Sequence, residues 1–152
     1  PGDNYHPEYS HVFASLIRKF IIAKKNNLDS VECWGTGSPR REFLHTDDLS
    51  KACIFALEKW DPSCKNAPKD FDGNPLNFLN VGTGIDISIK DLAELIANEL
   101  DYKGLIKWNI NKPDGTPRKL LNISRFKSLG WEPKIKLKEG IKKTIIDVYD
   151  QF

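Results

Sequence analysis

The stretch SVECWGTGSPRREFLHTDDLSKACIFALEKW, residues 30–60, decides the fold. It opens on a short run of alternating apolar and polar residues, Ser30 to Trp34, which reads as a strand. Two glycines, Gly35 and Gly37, then bracket a turn that leads into the paired Arg40 and Arg41. Glu42 to His45 follows as a second short strand. From Asp47, placed as the N-cap, a helix begins: Leu49, Ala52, Cys53, Ala56, Leu57 and Trp60 recur on one face. Strand, glycine turn, strand, helix is the order of an α/β chain.

The flanking segments extend the same alternation. Val12, Leu16, Phe20 and Ala23, with Phe13 and Ile17 beside them, predict a helix from Ser10 to about Lys25, ended by Asn26 and Asn27. Residues 61–74, DPSCKNAPKDFDGN, are a turn-rich loop, and Leu76 to Val81 reads as a buried strand. GTGIDISIKDLAELIANEL is a glycine turn followed by a helix, with Ser88 capping and Asp91 at the third helical position. Leu105 to Trp108 predicts one more strand, ISRFKSLGW a short helix closed by Gly130, and LKEGIKKTIIDVYDQF a last amphipathic helix. No GxGxxG turn between strand and helix occurs, so the phosphate-binding turn of a dinucleotide fold is absent.

Composition narrows the function. The 152 residues are 39% hydrophobic, enough to fill the core of a single domain spanning residues 1–152. A net charge of +2, from 23 basic and 21 acidic side chains, gives no general attraction to nucleic acid or to a membrane. Any anion must therefore be recognised by local placement. Cys33, Cys53 and Cys64 form no CxxC pair, which argues against a zinc site and a disulfide framework and for a reducing compartment. No run approaches the roughly 20 apolar residues of a membrane span, so a cytoplasmic protein is expected. The chain opens on Pro-Gly-Asp-Asn and contains no methionine, which leads us to expect a piece of a longer protein.

Candidate chemistry lies in the loops and helix starts. His11 stands at the start of the first helix, where an imidazole can serve as acid or base near neutral pH, or be a surface histidine with no chemistry. Arg40 and Arg41 can present a two-pronged donor to phosphate or carboxylate, or pair with Glu42 or Asp47. Arg118 with Lys119, and Arg18 with Lys19, make two further basic pairs. Three such pairs can converge on a diphosphate, with Trp34 offering its ring to a base or sugar; solvated charge is the plainer reading of each pair alone.

PGDNYHPEYSHVFASLIRKF, VECWGTGSPRREFLHTDDL, NVGTGIDISIKDLAELIA and NKPDGTPRKLLNISRFKSLGW resemble the carboxy-terminal portion of the GDP-L-fucose synthases, a family of extended short-chain dehydrogenases/reductases. The resemblance runs over nearly the whole chain, with 61–74 as the variable exception. It implies the substrate-binding part of that α/β fold, with short strands and flanking helices and with the Rossmann phosphate turn on a missing amino-terminal domain. It also implies GDP-sugar as ligand, NADP(H) as the cofactor of the full-length enzyme with none held by this part alone, no metal, and a homodimer. His11 is carried over as an acid/base residue of the epimerisation and as a cofactor contact. Lys19, Trp34, Arg41, Asp114 and Lys119 are carried over as GDP-sugar ligands; Lys19 departs from family members with arginine there, keeping charge but losing the fork. None of the three cysteines matches the family's catalytic cysteine. Two other readings stay open: a part of another nucleotide-sugar epimerase or dehydratase, and a non-enzymatic module binding nucleotide or protein. A part so cut should also expose apolar surface, and the helices 10–25 and from Asp47 are the expected places.

Overall fold

The computed structural model describes residues 2–152. Its elements run α1 (Val12–Lys25), β1 (Ser30–Trp34), β2 (Arg40–Glu42), α2 (Thr46–Lys59), β3 (Asp86–Ser88), α3 (Ile89–Glu99), β4 (Leu105–Asn109), β5 (Arg118–Lys119), α4 (Ser124–Ser128) and α5 (Leu137–Val148), closed by a 3-10 turn at Tyr149–Gln151. The chain divides into two compact units. One comprises the residues up to Arg41 with Ile87–Lys119 and Leu137–Phe152; the other comprises Glu42–Asp86 and Leu120–Lys136.

In the first unit β1 and β4 pair in parallel, Ser30 opposite Leu105 and Trp34 opposite Asn109. A second sheet has the order β3-β2-β5, and there Arg40 lies opposite Arg118 and Arg41 opposite Lys119, also in parallel. α1 packs on β1 and α3, and α3 on α5. Their shared interior is apolar: Phe20, Ile17, Ile21, Leu92, Ile96, Ile141 and Val148 are almost fully buried. Tyr102 packs edge-on to Phe20 at 5.7 Å and donates its hydroxyl to the Leu28 carbonyl at 2.8 Å, so its one polar atom is satisfied. Ser88 caps α3, its hydroxyl accepting from the Asp91 N–H at 3.0 Å, as the sequence pattern predicts. Ser88→Ala is expected to remove about 1 kcal/mol of stability, read as a small fall in the urea midpoint with an unchanged slope.

The second unit is built on Ala52, Phe126 and Trp131, with Phe55, Leu79 and Val81 packed against them. Phe126 meets Trp131 at 5.3 Å and Phe55 edge-on at 5.8 Å. Asp48 is 1% exposed, yet its carboxylate accepts the backbone N–H groups of Lys134 and Ile135 at 2.8 and 2.7 Å. Those two donors hold the chain just before α5 onto the first turn of α2. Gly130, at φ +101°, ends α4 as expected.

Four sequence expectations need correction. The second strand covers Arg40–Glu42 rather than Glu42 to His45, because its ladder starts where the Arg40 N–H reaches the Pro117 carbonyl at 2.8 Å. Leu76 to Val81 is not a strand: Leu79 and Val81 pack on the second unit's core and Leu76 is buried, but no ladder partner faces them among the described residues, and the isolated bridge of Lys69 with Pro75 lies just before them. α2 is capped by His45, whose Nδ1 accepts the Asp47 N–H at 3.2 Å, and not by Asp47. The His45 proton then sits on Nε2, which is buried without a partner among the described residues, as is Trp60 Nε1. The apolar face of α1 is buried, whereas α2 does expose Leu49 (45%), Ile54 (56%) and Leu57 (88%).

Candidate functional site

The turn at Gly35-Thr36-Gly37 organises the site, and its geometry follows from those residue types. Both glycines have positive φ, +75° and +77°, which favours glycine. A Cβ on Gly35 would lie 2.1 Å from Asp114 Oδ1, and one on Gly37 within 2.7 to 2.9 Å of the Trp108 ring. Asp114 occupies that space because it accepts the Thr36 N–H at 2.6 Å and the Thr36 hydroxyl at 2.8 Å. The loop after β4 is thereby fastened onto the turn after β1.

A cleft of about 240 Å³ opens beside this junction. Lys19 from α1, Cys33 and Trp34 from β1, Gly37 and Pro39 from the turn, and Pro113 and Asp114 from the β4–β5 loop contribute to its wall. Trp34 is 54% exposed, with the Lys19 ammonium 5.5 Å and the Lys112 ammonium 4.9 Å from its ring centroid. Lys19 also donates to the Glu32 carbonyl at 2.8 Å, which fixes its reach. Burial pushes the Cys33 thiol up to about 11, with Glu32 adding to the shift and Lys19 opposing it. A thiol so held stays protonated at neutral pH and is a poor nucleophile.

The structure therefore brings Lys19, Trp34 and Asp114 together on one cleft. Arg41 and Lys119 sit opposite each other on β2 and β5, outside that wall; one Arg41 amine donates to the Arg40 carbonyl at 2.7 Å, and another lies near the open side of Gly115. Glu42 is not the partner of Arg41: its carboxylate takes the Gly84 N–H, the Thr83 hydroxyl and the Leu121 N–H. His11 is exposed at the N-cap of α1 and makes no side-chain cap bond, although its neighbours Ser10 and Val12 line the cleft. It stands just before the helix, not within its first turn. Lys112 was missed by reasoning from basic pairs, because it is a single lysine; its place in NKPDGTPRK beside the family-like motif was the available signal.

Residues 1–68 match the model of the NAD dependent epimerase/dehydratase family. Across 98% of this chain the fold superposes with a TM-score of 0.82, at 33% identity, on half of a GDP-6-OMe-4-keto-L-xylo-heptose reductase from C. jejuni. The α/β fold is thus one shared with half of that reductase. The sequence is also similar to GDP-L-fucose synthases over nearly all its length. It is 47% identical over 143 residues to the putative GDP-L-fucose synthase 2 of Arabidopsis thaliana, covering 94% of this chain and 40% of that protein. To the GDP-L-fucose synthase of Escherichia coli (strain K12) it is 42% identical over 144 residues, covering 95% of this chain and 44% of that protein. The chain spans less than half the length of these curated relatives. Among the described residues no helix is long and apolar enough to cross a membrane.

Proposed function

We propose that this chain is the GDP-sugar-holding part of an enzyme that makes GDP-L-fucose. The whole reaction would convert GDP-4-keto-6-deoxy-D-mannose by 3,5-epimerisation and NADPH-dependent 4-reduction, in a cytoplasmic homodimer. The observation that carries the reading is the cleft wall on which Lys19, Trp34 and Asp114 meet, in a chain that is 42–47% identical to GDP-L-fucose synthases over this length.

In this reading the Lys19 ammonium meets the diphosphate as a point charge, while Arg41 and Lys119, side by side on parallel strands, bring two further cations to the same ligand. Asp114 serves twice, tying the β4–β5 loop to Thr36 and leaving carboxylate capacity toward the cleft for a sugar or base donor. His11, exposed at the helix start, is the acid/base residue of epimerisation, passing a proton at the carbon next to the ketone. NADPH supplies hydride when bound, but the chain has no glycine-rich phosphate turn to cradle it. Hydride transfer is therefore not assigned to any residue here, and this chain alone is expected to be inactive.

Calorimetric titration with GDP, with UDP and NADPH as controls, tests the reading. GDP binding with weak or no response to the controls is expected, and Arg41→Ala should lower GDP affinity about tenfold, the loss of one charge-assisted contact of roughly 1.4 kcal/mol. Equal affinity for UDP and GDP would sink the guanosine assignment. A second reading, part of a GDP-heptose reductase, draws on the C. jejuni likeness at 33% identity; tighter binding of a GDP-heptose than of a GDP-6-deoxyhexose would favour it.

A further inference from the structure

We propose that Lys112 is a second phosphate ligand, acting with Lys19 from a shared seat on Trp34 to hold the diphosphate of a nucleoside diphosphate. The inference rests on the GDP-sugar reading above and adds a residue to it.

Three observations lead there. First, Lys112 is held where it stands. Its N–H donates to the Asn109 carbonyl at 3.1 Å, turning the chain at the end of β4, and Asp114 two residues on is fastened to Thr36. Second, its ammonium lies 4.9 Å from the Trp34 centroid and that of Lys19 5.5 Å from the same centroid. The two ring distances place the ammonium groups within about 10 Å of each other, a range over which like charges still repel. Third, neither lysine has an ion-pair partner among the described residues. Lys19 donates to the uncharged Glu32 carbonyl, the Glu32 carboxylate accepts from the Asn109 side chain, and among the described residues no carboxylate pairs with either lysine.

Two cations without ion-pair partners on an exposed ring suit an anion, even with the Glu8 and Asp114 carboxylates on the same cleft wall, since Asp114 is engaged by Thr36. The anion must carry more than one charge to relieve both, which suits a diphosphate better than a monophosphate. Trp34 is then a seat for cations first, and lysine suits this role because its ammonium donates in any direction around a flexible phosphate chain. This changes the expectation for the tryptophan: its part in recognising GDP runs through the two lysines.

The test uses Lys112→Met, which keeps the length and the apolar stem over the indole, and Lys112→Arg, which restores charge. GDP, GMP and guanosine are titrated into each protein. Lys112→Met is expected to weaken GDP about tenfold, GMP less, and guanosine not at all, with Lys112→Arg close to the original and with the loss shrinking in high salt. Lys143→Met, on α5 and paired there with Glu139, should match the original protein. Unchanged GDP affinity in Lys112→Met, with the original chain binding GDP, overturns the role of Lys112 and leaves the GDP-sugar reading standing. A parallel loss for guanosine overturns it too, since Lys112 would then act only through the posture of Trp34. Failure of the original chain to bind GDP removes the GDP-sugar reading and this inference with it.

Discussion

Asp48→Ala is expected to lower stability by about 3–6 kcal/mol, the worth of two hydrogen bonds to a charged group at roughly 1.5–3 kcal/mol each. The magnitude follows from burial. Asp48 is 1% exposed, and the N–H groups of Lys134 and Ile135 have it as their acceptor at 2.8 and 2.7 Å. Alanine leaves both donors without a partner in a space too confined to hydrate them well. In a chain of this size the midpoint of thermal unfolding should fall by about 6–24 °C. Asp48→Asn separates the hydrogen bonds from the charge. Both donors use the same carboxylate oxygen, Oδ2, so an amide oxygen in its place can still accept them, and the loss should be less than half that of alanine. If alanine and asparagine destabilise equally, the hydrogen-bonded account of Asp48 is wrong.

Gly37→Ala is the second large effect, at about 2–5 kcal/mol, combining roughly 1–2 for a side chain at positive φ with about 1–3 for forcing atoms into a filled space. The neighbour is a ring: the added methyl would lie 2.7 to 2.9 Å from three Trp108 carbons. Trp108 stands on β4 opposite Cys33, in the middle of the parallel pair, so moving it disturbs β1 next to Trp34. GDP affinity should fall along with stability. Gly73→Ala is the control: its φ is +84° but nothing lies within 4 Å of its added methyl. Chemical denaturation of both variants checks the argument, which fails if Gly37→Ala costs no more than Gly73→Ala.

Much of the fold was legible because it is locally encoded. α1, α3 and α5 carry long apolar stripes, and Ser88 and Gly130 behave as their types predict. The misreadings share a cause, which is that strands are defined by partners. Leu76 to Val81 has strand-like composition but no ladder, while Arg118 and Lys119, polar and flanked by proline, become β5 because Arg40 and Arg41 lie alongside. The cap of α2 was misplaced for a related reason: a histidine accepts at Nδ1 only in one tautomer, which composition does not disclose. At the site, Lys19, Trp34 and Asp114 were named from motif resemblance and lie on one cleft, yet the Thr36–Asp114 link and the Lys112 contact are relations across more than 70 residues. No local pattern contains them.

The pairing of Ser30 with Leu105 also bears on how the chain reaches its fold. To form β1 against β4, the polypeptide must close a loop that contains all of Glu42–Asp86. Such a closure is a late and slow event in folding compared with making α1 or α3, because its entropy must be met before the strands reward it. That entropy grows only with the logarithm of loop length, about 0.6 kcal/mol for each doubling. Residues gained or lost within 61–74 therefore leave the folding of the cleft-bearing unit almost untouched, and this is the segment where the length of the chain is free to drift.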